Sequence, residues 1–546
     1  MLSVTIKYKD KKYTYPKGIN LLDISKDFQK DFSEKIIIAI VNGTITELNQ
    51  TIFNNSTVEF YDVNSYFGNK VYESGLLFIL IKAFKDVFNS RILVEHSIDK
   101  GLYIKSDIKI TDSKIEKIKE RMDELIEKDL PIDKLLINRK EAIKYYQKLN
   151  DKDKVDILKY NTNTNINLYK LDNTFDYFFN NLPISTGYIT KYKIDIINEN
   201  SFALSFPSIY SSGNISYKHH EKLFNAFNEH SEYCKRIGIN SICDLNLKVT
   251  DGTINDYIFL AESYQNGLLL NVAYKISKNK NIKIVLISGP SSSGKTTTSK
   301  KLQLYLKQFG LVPKTMSIDD YFVDREKTPK KEDGSYDFES IKAIKLDLFN
   351  KDLSKLLNGE KVKMPTYNFA LGKGEYRSEA TSLGENDILI IEGLHALNDE
   401  LTSSIDRKLK FKIYLSPLAV LNLDNHNRMK TSDIRLLRRI VRDNRTRGYN
   451  ARDVINAWAS VREGEEKNVF PFQDDADIIF NTALFYEMGV LKVYVEPLLY
   501  MIEEDEECYK FAIRLLNILK NILPIPSDYI PKDSILREFI GNGYFE

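Results

Sequence analysis

Residues 282–309, IKIVLISGPSSSGKTTTSKKLQLYLKQF, decide how the second half of this 546-residue chain folds. They begin with a mostly apolar run, which predicts a buried strand, and they end in a stretch with the pattern of a helix. The turn between them, GPSSSGKT, fits the pattern G-x-x-x-x-G-K-[ST]. Glycines let such a turn wrap around phosphates, and the following helix start points amide groups at them. We therefore predict a phosphate-binding loop.

The phosphate-binding loop is expected to bind ATP or GTP together with Mg²⁺. Lys295 should reach the β- and γ-phosphates, and the Thr296 hydroxyl should ligate Mg²⁺. A flexible glycine–serine linker is the alternative, but a linker needs neither the strand before the turn nor the helix after it. The predicted nucleotide-binding residues are Gly289, Pro290, Ser291, Ser292, Ser293, Gly294, Lys295, Thr296 and Thr297.

The bulk composition predicts a cytoplasmic protein of several domains. The length corresponds to about three or four domains, and 42% of the residues are hydrophobic. The 78 basic and 76 acidic residues nearly cancel, so no overall charge favours nucleic acid or a membrane. Three separated cysteines argue against a disulfide framework. No apolar stretch approaches the roughly 20 residues of a membrane span, and we expect no membrane partner.

The pattern of strands and helices changes along the chain. Residues 1–65 read as strands around one short helix, LLDISKDF, which predicts a small ubiquitin-like α+β domain. Residues 66–255 mix helices and strands, and residues 256–280 predict a linker helix. In residues 281–500 short apolar strands alternate with helices, as in an α/β domain whose parallel sheet is flanked by helices. Residues 501–546 predict a helix and a proline-punctuated tail without assignable chemistry.

Carboxylates follow two of the predicted parallel strands. Asp319 and Asp320 end the segment KTMSIDD, and Glu392 ends DILIIE. The carboxyl ends of parallel strands meet at the edge where the phosphate-binding loop lies. We predict that Asp319, rather than Asp320, accepts the proton of the acceptor hydroxyl and contacts the metal, and that Glu392 holds the Mg²⁺ water shell. Helix capping is the alternative role for the two aspartates.

Arginines and aromatic residues complete the predicted site. The helical segment DIRLLRRIVRDNRTRGYN is read as a lid whose arginines close over the phosphates. A solvated basic face and a nucleic-acid surface are the alternatives. In MPTYNF, Tyr367 and Phe369 are expected to form a wall that stacks on a planar base, with core packing as the alternative.

These motifs together resemble the uridine kinase branch of the uridine kinase/phosphoribulokinase family. GPSSSGKT, SIDDYF, YDFES, PTYNF, IIEGLHAL, RRIVRDNRTRG and DADIIFNT stand in the order of that family. The resemblance implies phosphoryl transfer from ATP to the 5′-hydroxyl of a nucleoside, uridine or cytidine. Asp319 is then the base, and Thr296 and Glu392 serve Mg²⁺. The implied substrate-binding residues are Phe322, Glu339, Tyr367, Phe369 and Arg439. Arg439, Arg442 and Arg447 match lid positions that touch sugar and phosphates, and the resemblance implies a catalytic role for Arg442 and Arg447.

Two departures from the family pattern leave the acceptor open. The histidine that usually follows the PxYxF motif falls at Gly372 or nearby, and a lid-side glutamine falls near Ala457. Both residues normally help to read the pyrimidine edge, and a site without such hydrogen bonds discriminates poorly. A kinase of the same fold acting on another small alcohol, like phosphoribulokinase or pantothenate kinase, is the alternative.

The first 250 residues resemble a different family. Residues 1–65 look like a TGS domain, and residues 66–250, with VEHSIDKGLYIKSD and KIEKIKERMDELIEKD, look like the editing domain of threonyl-tRNA synthetases. The metal-binding histidines of that family fall on Glu73 and Leu77, and its later Cys-x-x-x-His pair falls within 178–182, so we expect no zinc site. Three possibilities stay open. These domains could contact RNA or a nucleotide, they could have a regulatory role that senses tRNA or a nucleotide, and the chain could form a homo-oligomer.

Overall fold

The computed structural model describes residues 2–211, 213–215, 217–331, 334, 336–368 and 371–545. The first region is a mixed sheet with one helix packed on it. Its elements are β1 (Ser3–Tyr8), β2 (Lys11–Pro16), β3 (Ile19–Asn20), α1 (Leu21–Phe28), β4 (Ile38–Val41), β5 (Thr44–Thr46), β6 (Thr51–Ile52) and β7 (Ser56–Tyr61). The main sheet has the order β2-β1-β7-β4-β5, and β1 runs parallel to β7. Alternate residues of β1 are buried, and the ring of Tyr8 lies 4.1 Å from that of Phe28 in α1.

The middle region contains two antiparallel sheets and seven of the helices in the described residues. Its elements are α2 (Tyr66–Phe88), β8 (Ile92–Ile98), β9 (Gly101–Ser106), α3 (Asp112–Glu127), β10 (Ile132–Asn138), α4 (Arg139–Lys148), α5 (Lys152–Tyr160), β11 (Asn165–Leu171), β12 (Thr174–Asp176), β13 (Lys193–Asn198), β14 (Ser201–Ser205), α6 (Glu221–Arg236), α7 (Ile242–Thr250) and α8 (Ile254–Lys278). The sheets have the orders β10-β11-β12 and β13-β14-β9-β8. Helix α8 covers the predicted linker helix and packs its apolar face into the core of the following region.

A five-stranded parallel sheet organises the third region. Its elements are β15 (Ile284–Ser288), α9 (Lys295–Gln308), β16 (Val312–Ser317), α10 (Leu346–Leu357), β17 (Pro365–Asn368), β18 (Lys373–Tyr376), β19 (Asp387–Glu392), α11 (Asp399–Thr402), β20 (Lys410–Ser416), α12 (Thr431–Arg447), α13 (Ala451–Asn468), β21 (Ile478–Asn481) and α14 (Glu487–Tyr500). The sheet order is β16-β19-β15-β20-β21, and every neighbouring pair is parallel. All five residues of β15 are buried. The predicted parallel sheet flanked by helices is confirmed.

The C-terminal residues pack against this third region. They contain α15 (Tyr509–Leu519) and α16 (Arg537–Ile540). Ile525, Ile535, Leu536 and Phe539 are essentially inaccessible to solvent, so the proline-punctuated segment is part of the core. Among the described residues, no helix is both long enough and apolar enough to traverse a bilayer.

The segment that leads into α12 lies against the middle region. The side-chain amide of Asn422 donates to the carbonyl of Val94 over 2.8 Å. Arg428 and Lys430 form ion pairs with Glu73 at 3.1 and 3.3 Å. Glu73, where the editing-domain resemblance has a metal-binding histidine, therefore joins the middle region to the start of α12.

Candidate nucleotide and acceptor cleft

The phosphate-binding loop, residues 289–296, has the backbone shape that its glycines permit. A Cβ at Gly289 would lie 2.3 Å from the carbonyl oxygen of Leu415, so a side chain there would collide with β20. Gly294 has φ +83° and Ser292 φ +58°, both in the left-handed region. The Thr482 hydroxyl donates to the carbonyl of Ser293 over 2.6 Å. These contacts hold the loop in one conformation between β15 and α9.

The start of α9 offers amide groups to an anion. The first helical hydrogen bond runs from the Thr298 amide to the Gly294 carbonyl, so the amides of Lys295, Thr296 and Thr297 have no partner within the helix. The Lys295 ammonium group donates to the Gly289 carbonyl over 2.7 Å and thus lies above the loop. Burial lowers the pKa of Lys295, and nearby carboxylates oppose that shift. This arrangement is suited to the phosphates of a nucleotide.

The two adjacent aspartates after β16 have different environments. Asp320 accepts hydrogen bonds from the Tyr367 amide (3.2 Å) and the Thr366 hydroxyl (3.3 Å), and it pairs with Arg377 (2.8 Å). Asp320 therefore holds strand β17 in place. The carboxylate of Asp319 makes no hydrogen bond with the described residues. The Asp319 side chain is thus not committed to β17, and its contact with a substrate stays a prediction.

The carboxylates near Lys295 repel one another. Glu392 ends β19 beside Ser317, at the same sheet edge as the loop. Burial raises the pKa of Glu392 to about 7, with further contributions from Asp319 and Glu538 and opposition from Lys295. Burial also raises the pKa of Asp319. A divalent cation would relieve this repulsion.

Oxygen atoms suitable for Mg²⁺ are present in the cleft. The Thr296 hydroxyl and the carboxylates of Asp319 and Glu392 are hard ligands of the kind that Mg²⁺ prefers. Among the described residues, no three His, Cys, Asp or Glu side chains meet closely enough to form a metal site by themselves. This fits Mg²⁺, which commonly takes one or two carboxylates and completes its shell with waters and substrate phosphates.

An aromatic pair and a buried carboxylate lie on the acceptor side. The rings of Phe322 and Tyr367 are 5.7 Å apart at an interplanar angle of 60°. Glu339 packs against α13, where a Cβ at Gly464 would lie 2.7 Å from the Glu339 Cβ. Burial and the neighbouring Glu465 raise the pKa of Glu339 to about 7. Phe369, the second predicted aromatic of the base pocket, lies outside the described residues.

Two arginines of α12 support the phosphate-binding loop from behind. Arg435 donates to the carbonyl of Ser291 over 2.9 Å and pairs with Glu465. Arg438 donates to the carbonyl of Ser292 over 3.3 Å and pairs with the carboxylate of Glu487 at 2.6 Å. Both guanidinium groups are buried. The sequence analysis did not assign these two residues, although the apolar residues between them indicate a buried helix face.

The three arginines predicted to act on substrate share one aspartate. Arg439, Arg442 and Arg447 approach the carboxylate of Asp443 to 3.3, 2.8 and 3.5 Å. Arg439 also donates to the Ser291 hydroxyl over 3.0 Å, which brings this group to the loop. Asp443 is buried, and the sequence analysis did not single it out. Its position within the arginine-rich stretch is the signal that indicates a shared acceptor.

One further residue at the loop comes from the C-terminal tail. The Thr297 amide donates to Oε2 of Glu538 over 3.0 Å. The sequence analysis assigned no chemistry to this tail. The structure thus brings Lys295, Thr297, Asp319, Glu392 and Glu538 to one cleft, bordered by the acceptor-side residues and the three outward arginines.

Comparisons with known proteins find relatives of the third region. A family model described as the phosphoribulokinase / uridine kinase family matches residues 284–485. A uridine kinase of Staphylococcus aureus (strain JH9) is 30% identical over 198 residues, which are 36% of this chain and 86% of that protein. A uridine kinase of S. aureus (strain Newman) matches equally.

Solved structures also match this part of the chain. A possible uridine kinase from Bacillus stearothermophilus is 19% identical, with a TM-score of 0.26, over 37% of this chain and 89% of that one. A D-glycerate 3-kinase from Cryptococcus neoformans var. grubii is 16% identical, with a TM-score of 0.26, over 40% of this chain and 90% of that one.

Proposed function

The chain belongs to the phosphoribulokinase / uridine kinase family, and from that premise we propose that it is an ATP-dependent nucleoside kinase. The reaction transfers the γ-phosphate of ATP to the 5′-hydroxyl of a nucleoside, uridine or cytidine, and yields the monophosphate. One observation carries the proposal: Asp320 is committed to strand β17, whereas its neighbour Asp319 is free at the edge of the phosphate-binding loop. Such a carboxylate can take a proton from an acceptor hydroxyl.

Each part of the reaction has a residue in the cleft. The amides at the start of α9 and the ammonium group of Lys295 bind the donor phosphates. The acceptor oxygen forms a bond to the γ-phosphorus, the bond from that phosphorus to ADP breaks, and the hydroxyl proton passes to Asp319. Arg439, Arg442 and Arg447, which the single carboxylate of Asp443 only partly neutralises, stabilise the negative charge on the transferred phosphoryl group. Thr296, Asp319 and Glu392 would hold Mg²⁺, which would neutralise phosphate charge.

The acceptor side supports a planar, hydroxylated substrate. The edge-to-face pair of Phe322 and Tyr367 offers an aromatic surface to a base. Glu339, whose pKa burial raises to about 7, can hydrogen-bond to sugar hydroxyls in either protonation state. The identity to curated uridine kinases favours a pyrimidine nucleoside. The residues at Gly372 and Ala457 cannot supply the side-chain hydrogen bonds expected for a pyrimidine reader, so other small alcohols belong in the test.

We also propose that residues 1–65 are a TGS domain and residues 66–255 an editing-like domain. The mixed sheet crossed by α1 supports the first assignment. A hydrolytic metal site is not part of this proposal, because Glu73 is engaged by Arg428 and Lys430. Filter binding with tRNA at two salt concentrations tests whether these domains contact RNA.

The kinase proposal is tested by the release of ADP from ATP and Mg²⁺ with a panel of acceptors. The panel contains the common nucleosides, pantothenate and ribulose 5-phosphate. We expect release that depends on uridine or cytidine, that is abolished in Lys295→Ala and that falls about 10²–10⁴-fold in Asp319→Asn. Lys307→Ala, an exposed lysine at the far end of α9, is the matched control. ADP release that is equal with and without every acceptor would contradict the proposal.

A further inference from the structure

The C-terminal tail, residues 523–545, places a carboxylate at the start of α9, where a nucleotide's phosphates are expected. We propose that Glu538 is a residue of the donor site, which competes with the donor phosphates for the Thr297 amide and thereby sets the affinity for nucleotide. This inference rests on the kinase function proposed above. It concerns a residue outside the segment that matches the family, which ends at residue 485.

The competition follows from the hydrogen-bonding groups at the start of α9. Three amides there, those of Lys295, Thr296 and Thr297, lack a partner within the helix. Oε2 of Glu538 accepts from the Thr297 amide over 3.0 Å. A carboxylate and a phosphate are both anions that favour a helix N-terminus, and they would use the same amide. The donor can therefore occupy all three amides only after the Glu538 side chain has moved.

The tail is held rigidly, so Glu538 is not a mobile surface group. Arg445 donates to the carbonyls of Glu538 (3.1 Å) and Phe539 (3.3 Å). The guanidinium group of Arg438 lies 4.8 Å above the ring of Phe539. A Cβ at Gly294 would lie 2.7 Å from Cγ2 of Ile535, so the tail contacts the loop itself.

The charge of Glu538 reaches the other groups of the cleft. Burial raises the pKa of Glu392 to about 7, and the charge of Glu538 adds to that rise. Burial lowers the pKa of Lys295, and the charge of Glu538 opposes that fall. A donor triphosphate brings additional negative charge to the same place. The free protein thus has an internal anion at the phosphate position, and nucleotide binding must overcome it.

The experiment measures binding of ATP and of inorganic triphosphate to the full-length protein by isothermal titration calorimetry. Glu538→Gln keeps the size of the side chain and removes its charge, and Glu538→Ala removes the acceptor. We expect both variants to bind both ligands about ten-fold more tightly, since a hydrogen bond to a charged group no longer competes. Asp533→Asn is the matched control: Asp533 lies on the same tail and pairs with Lys301 of α9 at 3.1 Å.

The control variant should change affinity by no more than about three-fold, because Asp533 pairs with the buried ammonium group of Lys301 and not with an amide at the start of α9. Unchanged or weaker binding by both Glu538 variants overturns the inference, and weaker binding would mean that the tail forms part of the nucleotide pocket. Tighter binding without acceptor-dependent ADP release refutes only the kinase function. Acceptor-dependent release with unchanged affinity refutes only the role of Glu538. No binding by any variant refutes both.

Discussion

Helix α12 carries arginines on two of its sides, and the two sets have different surroundings. Arg435 and Arg438 point inward, are at most 1% exposed, and each pairs with its own buried glutamate. Arg439, Arg442 and Arg447 are 17–52% exposed and share a single aspartate. The inward pair donates to backbone carbonyls of the phosphate-binding loop, whereas the outward three border the cleft.

The two sets of arginines differ in how far each guanidinium group depends on its carboxylate partner. A buried arginine that loses its carboxylate leaves an uncompensated charge, so the inward pairs are permanent parts of the fold. Three arginines on one carboxylate are incompletely neutralised, so they can pair with a phosphate while Asp443 keeps part of its contacts. We infer that the inward side maintains the shape of the loop and the outward side acts on substrate.

We expect the largest effect from substituting an outward arginine, and we expect it on the rate of turnover. Arg447→Met should lower turnover by about 10³-fold or more, because an arginine on the transferred phosphate stabilises the transition state. The free energy of unfolding should change by no more than about 0.5 kcal/mol, since the side chain is exposed. ADP release and urea unfolding measure the two quantities.

Arg452→Met is a closely matched control for this variant. Its side chain is 51% exposed, against 52% for Arg447, and it pairs with Glu506 away from the loop. Equal turnover in the two variants would contradict the inference that the outward arginines of α12 act on substrate.

A large effect on stability is expected from the inward side. Arg438→Met should lower the free energy of unfolding by about 3–5 kcal/mol, because the carboxylate of Glu487 is left buried without a partner. The double variant Arg438→Met/Glu487→Met should recover much of that loss, since it removes both charges. Urea unfolding of both proteins tests this, and a loss below about 1 kcal/mol in the single variant would show that the pair is not structural.

A smaller effect is expected from two carboxylates near Lys295. Glu339 and Glu392 have a pKa raised from 4.5 to about 7 in the folded protein. The folded state then binds more protons than the unfolded state between these values. The stability that each contributes is complete below pH 4.5 and is lost as the pH rises to about 7.

Urea unfolding of the nucleotide-free protein between pH 4.5 and 7 measures this dependence. The free energy of unfolding of Glu392→Gln should fall less steeply with pH than that of the wild type, by about 1–2 kcal/mol over the interval. Glu400→Gln, an exposed glutamate on α11, is the control. Parallel curves for the wild type and Glu392→Gln would mean that the Glu392 carboxylate is not repelled in the cleft.

Much of the third region could be predicted from local patterns. The strand, glycine turn and helix around residues 282–309 can be recognised from neighbouring residues, because the turn itself requires a positive φ at Gly294, where φ is +83°. Short apolar strands between helices likewise indicated the parallel sheet and the edge at which Asp319 and Glu392 meet. Those features depend on backbone geometry and burial, and the glycines and apolar runs of a contiguous stretch of sequence indicate both.

What only the tertiary structure decided depends on contacts between distant residues. Asp319 and Asp320 are neighbours in sequence, and only the structure shows that the Tyr367 amide, 47 residues away, engages Asp320. The two sides of α12 differ because Glu465 and Glu487 arrive from other helices. Glu538 reaches the Thr297 amide across 241 residues. No local pattern encodes such a pairing, since it arises only when separate elements pack together and a buried or crowded charge must find a partner.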